Sequence, residues 1–162
     1  MKISKLWQQP EQRSERYYLL DNIFSAITHG IGFGLAVTGL VILIVKAAHT
    51  GSPMRVVTFT IYGSCLVLLY LFSTLYHSLV FTRAKNIFQI FDHSSIFLLI
   101  AGSYLYVRLS PTGFWLLVSG GIAYTIGAIL FSMRNVPFIH TIWHLFVMLG
   151  SILMYFSVLL YV

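Results

Sequence analysis

The sequence predicts an all-α fold: a polytopic membrane helix bundle of about five transmembrane helices, in one membrane domain over residues 1–162. Three observations carry this reading. Of the 162 residues, 58% are hydrophobic and 9% charged, where soluble domains carry about 25% charged residues. The mean hydropathy is +0.86. Five apolar stretches recur, each near the roughly 20 residues that a helix needs to cross the hydrocarbon core. The formal charge of +6 sets topology in such a chain rather than pointing to nucleic acid, and no nucleic-acid partner is expected. Cys65 stands alone, which rules out an intrachain disulfide or a cysteine-rich metal site and argues against redox chemistry.

The elements follow in order. Residues 1–18 are polar and charged, with no apolar signal core, so no cleaved export signal is expected. The first span, roughly 21–46, carries Asp21 and His29 and ends at "HTGSPMR". Its "GIGFG" follows no strand, so the glycines read as packing residues, not a phosphate loop. The second, roughly 57–81, carries Ser73 and His77 and ends near "TRAKN". The third, 89–108, opens with Asp92 and His93 and ends at "LSPTG". In the fourth, 113–132, Gly120, Gly121 and Gly127 predict close packing against span three or a second copy, so a homodimer is an expectation. The fifth, 138–161, follows "SMRNVP" and begins with "HTIWH". The breaks hold the Pro, Gly, Ser, Asn and charges that end helices.

Lys and Arg counts set the orientation. With the N-terminus inside, Lys2, Lys5, Arg13, Arg16, Arg83, Lys85 and Arg134 lie on the cytoplasmic side, against Lys46, Arg55 and Arg108 outside. N-in and C-out follows for five spans. Asp21, His29, His77, Asp92, His93, His140 and His144 then all fall toward the inner leaflet. Ionisable groups inside a membrane face the bundle interior or water.

His140 and His144 stand four apart, about 6 Å along a helix axis and on one face. Such a pair can hold one metal ion. A third ligand must come from another span, and His77 lies at similar depth. Three histidines and one open position make the catalytic zinc arrangement. Asp92 could ligate directly or hold a metal-bound water, and Ser73, one turn before His77, could support the site. Asp21 reads equally as a helix-start carboxylate. His29 is balanced between a structural and a functional role, and His93, next to Asp92, points to a different face and reads as structural.

The blocks "DNIFSAITHGIG", "FSTLYHS", "FDHSSIFLLIAGSY", "GGIAYTIGAILF" and "HTIWHLFVMLGS" together resemble the bacterial hemolysin III proteins. These belong with the progestin and adipoQ receptors and, more distantly, the alkaline ceramidases. The resemblance implies that His77, His140 and His144 hold Zn2+ and that Asp92 contacts a zinc-bound water. Ser73 matches the serine of the family's S-x-x-x-H motif. N-in, C-out topology and a multi-pass place in a bacterial inner membrane are also implied. Family members have seven spans, so about two are absent here after Tyr104; removing an even number keeps the final helix in the same orientation. In the first span Asp21 keeps one charge, Asn22 replaces a second acid and Ser25 stands where Asn is usual.

Two functions are expected side by side. One is a zinc-dependent membrane hydrolase of a lipid amide or ester, ceramidase-like, with Asp92 and Ser73 as the catalytic candidates. "HTIWH" has Thr141 where an H-E-x-x-H enzyme carries its glutamate, so that base is missing. The other is a non-enzymatic protein, a pore-forming, cytolytic hemolysin or a sensor of membrane state, with a structural zinc. Membrane lipids are the expected partners of both.

Overall fold

The computed structural model describes residues 14–103, 110–133 and 136–162. Lys2, Lys5, Arg13, Arg108 and Arg134 of the charge count, Tyr104, and the side chain of His93 lie outside what is described. The described chain forms five helices and no strand: α1 (Glu15–His49), α2 (Pro53–Ser78), α3 (Lys85–Ser103), α4 (Pro111–Phe131) and α5 (Ile139–Tyr161). α1, α2, α4 and α5 are each long and apolar enough to cross a membrane. Large side chains such as Ile31, Leu35, Val41, Ile129 and Leu160 face outward, as lipid-facing positions do.

Local chemistry sets the boundaries. Ser14, Ser52 and Ser110 cap α1, α2 and α4, each side-chain oxygen accepting the backbone N–H three residues on. Pro53 and Pro111 follow two of these caps in the first turn, where a missing N–H costs nothing. Gly51 ends the α1–α2 turn with φ +67°, a conformation that Gly adopts without steric cost.

Packing follows a row: α3 on α2, α2 on α1, α1 on α5, α5 on α4. Two sequence expectations are corrected. Span two was expected to pack directly beside span five; instead α1 packs on both, and α2 and α5 are not a closely packed pair. The α4 glycines were expected to meet span three or a second copy. Gly120 and Gly127 face α5, close to Gly150 and Trp143, while Gly121 faces open space. The physical reason is backbone approach: the Gly120 and Gly150 surfaces touch at their main chains, which no larger residue permits. The interior of the row is built from Leu43, Ala47, Phe59, Tyr62, Leu66 and Leu69, all almost fully buried.

Candidate metal centre

The buried stripe of α1 is Asn22, Ser25, His29, Gly32, Ala36, Gly39, Leu43 and Ala47. It runs from polar to small to apolar, so the polar chemistry collects at one end of the bundle. There α2 contributes Ser73 and His77, and α5 contributes His140 and His144.

The start of α5 is fixed by its contacts with α1. Phe138 caps α5 with φ +53°, unusual for a bulky residue. Its backbone N–H donates to the Tyr17 hydroxyl, and its ring lies 5.0 Å from that of Tyr17 and 5.9 Å from that of Phe24. One turn on, the Thr141 hydroxyl donates to Asp21 Oδ1 at 2.9 Å and lies 3.4 Å from Ser25 Oγ. Asp21 sits in the second turn of α1, so its role is this interhelical bond and not a helix-start charge. Thr141, at the glutamate position of a zincin motif, ties α5 to α1 through these contacts.

His77, His140 and His144 come together as the sequence predicted. Their ligand atoms all lie within 4.8 Å of one another. The ring centroids form a near-equilateral triangle: 4.7 Å for His77–His140, 4.8 Å for His77–His144 and 4.8 Å for His140–His144. The interplanar angles are 89°, 71° and 80°. With a metal–nitrogen bond of 2.0–2.1 Å, an imidazole centroid sits roughly 3.2 Å from its ion, so this spacing corresponds to angles of about 95° at a shared ion. A group at this spacing could hold a metal ion.

The protonation pattern fits as well. The Asn22 amide nitrogen donates to the Tyr18 carbonyl at 2.8 Å, which turns Asn22 Oδ1 toward His77 Nδ1, 2.9 Å away. That nitrogen must then carry the proton and donate, leaving a lone pair on Nε2. His77 Nε2 is buried without a hydrogen-bond partner, as is His144 Nδ1. A metal-ligating His characteristically donates its other N–H to an oxygen acceptor in this way. Asn22, which the sequence reading treated only as a replaced acid, is thus the residue that orients His77. Its signal was its spacing: Asn22, Ser25 and His29 share one helix face.

Six buried side-chain polar atoms among the described residues lack a partner. Five belong to His29, Ser73, His77 and His144; the sixth is the Tyr62 hydroxyl. Ser73 is fully buried. A helical hydroxyl usually bonds back to the carbonyl one turn earlier, as neighbouring Thr74 does to Tyr70. Ser73 Oγ does not. Asp92 is half-buried on α3 and does not belong to the metal-distance group. Its backbone carbonyl accepts from the Ser95 hydroxyl. His29, whose role the sequence left open, stacks on His144 at 3.6 Å and 16°.

A family model for Haemolysin-III related proteins matches residues 17–112 and 107–155. The two pieces meet at the α3–α4 connection. Hemolysin-3 of Bacillus cereus is 37% identical over 204 aligned positions, covering 90% of this chain and 93% of that protein. The hemolysin-3 homolog of Bacillus subtilis (strain 168) is 35% identical over 204 positions, covering 90% of this chain and 96% of its own. An alignment of 204 positions on 162 residues leaves at least 42, the difference, facing a gap in this chain, roughly two helices' worth at about 20 residues each. No solved structure matches the chain. The two-piece match, the two relatives and the apolar helices make this chain a multi-pass membrane protein of the haemolysin-III related family.

Proposed function

We propose that the protein is a zinc-dependent hydrolase that cleaves a lipid amide or ester from within the inner leaflet, with His77, His140 and His144 holding the ion. The observation that carries this is the histidine triangle, whose ligand atoms all lie within 4.8 Å of one another. Zn2+ bound there would supply Lewis acidity and lower the pKa of a water molecule. The chain's own groups do the rest. Asn22 keeps His77 in the tautomer that presents a lone pair. Ser73 Oγ, not bonded back to its own helix, would hydrogen-bond the reacting group. Asp92 receives a proton from water as it attacks the carbonyl carbon; the C–N or C–O bond then breaks, and the leaving amine or alcohol takes that proton.

A cavity of about 300 Å³ supports a lipid substrate. It runs among α1, α2 and α5, with Gly32, Ala36, Gly39, Leu66 and Tyr70 in its wall. Leu35, Ile42, Ile152 and Phe156 at its rim are exposed, so it opens toward the bilayer. The name of the relatives supports a second reading, a lytic protein whose metal is structural.

The test is zinc per chain in wild type, His77→Ala, His144→Ala and Asp92→Ala after metal-replete purification. About one zinc per wild-type chain is expected, with at least a fivefold loss in each histidine variant and retention in Asp92→Ala. Equal zinc in all four, or none in wild type, rejects the metal reading. With zinc in place, failure to release fatty acid from fatty amides and esters above the His144→Ala level rejects the hydrolase and leaves the structural metal.

A further inference from the structure

His29 is 3% exposed and lies flat on His144. Neither of its ring nitrogens reaches hydrogen-bond geometry, the nearest candidate partner being the His144 backbone. It is not a fourth ligand of the same ion. Two rings bound to one metal would subtend only about 70° at 3.6 Å separation, using the same bond length as for the triangle. Nor does stacking alone account for it: a phenyl ring would stack as well without burying two polar atoms. A neutral imidazole has one donor and one acceptor, and burying both without partners is costly.

Position suggests the partner. On one side His29 touches His144; on the other its ring meets Tyr70 edge-on at 5.1 Å. Tyr70 and Gly32, one turn along α1 from His29, line the apolar cavity. His29 therefore stands where the cavity gives way to the histidine triangle. A chain lying in the cavity would bring its polar end past this imidazole. We propose that His29 is a ligand-binding residue of the same centre, donating a ring N–H to the carbonyl or carboxylate oxygen of an acyl-chain ligand held at the triangle. This rests on the metal reading above and adds a recognition contact from α1 to it.

The experiment loads wild type, His29→Phe and His29→Gln with Co2+ in detergent and titrates each with octanoate, following the visible absorption of the cobalt. Octanoate should change the wild-type spectrum saturably. His29→Phe should keep cobalt and its starting spectrum but bind octanoate at least tenfold more weakly. His29→Gln, which restores a donor, should return to within about threefold of wild type. Wild-type octanoate affinity in His29→Phe overturns the proposal, as does a wild-type spectrum indifferent to octanoate. Loss of cobalt from both variants also overturns it, making His29 a support for His144 instead. If wild type takes up no cobalt, the metal reading itself fails and this inference goes with it.

Discussion

The α4/α5 seam and the end of the bundle where α1, α2 and α5 meet are built from similar residue types and behave oppositely. In the seam, a Cβ on Gly120 would lie 2.9 Å from the Gly150 carbonyl, and one on Gly150 would lie 3.0 Å from that of Gly120. The polar groups there are closed on each other: the Tyr124 and Ser151 hydroxyls lie 2.8 Å apart, and Ser157 donates to the Gly113 carbonyl at 2.7 Å. At the histidine end, Ser73, His29, His77 and His144 leave polar atoms buried and unpartnered. Unsatisfied polar groups are costly without water nearby. The seam closes its polar groups within the fold, and the histidine end does not.

That contrast can be broken by substitution. Asn22→Leu removes the acceptor that fixes the His77 tautomer. It should lower zinc affinity about 10- to 100-fold, the usual effect of losing such an outer partner. Competition with a chelator measures it, and unchanged affinity would mean that His77 needs no orientation from α1. Gly150→Ala acts on the other region. Its new methyl meets the Gly120 backbone and the Tyr124 ring, so stability in detergent should fall by about 1–2 kcal/mol, within the range for overpacking. Zinc per chain should stay as in wild type; loss of zinc would couple the two regions. The smallest effect is expected from Ser151→Ala, which leaves the Tyr124 hydroxyl without its partner at a cost of about 0.6 kcal/mol, the average for such bonds between membrane helices. A larger loss would show the seam to depend on its hydroxyls more than on its glycines.

The sequence disclosed the helices and the grouped histidines better than the neighbours. The five helices were legible because apolar length and Ser-Pro breaks are local signals. His77, His140 and His144 were legible because an imidazole in an apolar run stands out. The row order of the helices was not, since a hydropathy pattern carries no information on which faces meet; hence α1, not α2, turned out to be the neighbour of α5. Asn22 escaped because its meaning depends on a partner 55 residues away. Asp92 and Ser73 were picked by depth and by helix spacing from His77, and the structure treats them differently: Ser73 Oγ is buried without a partner, while Asp92 is not in the histidine group.

The division of the triangle between α2 and α5 also has a meaning in time. A nascent membrane chain is released helix by helix, and α1 and α2 can pair as soon as both have entered the bilayer. At that stage His77 can already meet Asn22, yet it is one histidine of three. His140 and His144 arrive only after α3 and α4 have been made, and they arrive together on one turn of helix. Assembly of the histidine triangle is therefore a late event in biogenesis, joining an early hairpin to a late one, and a chain ending before α5 would carry His77 without His140 and His144.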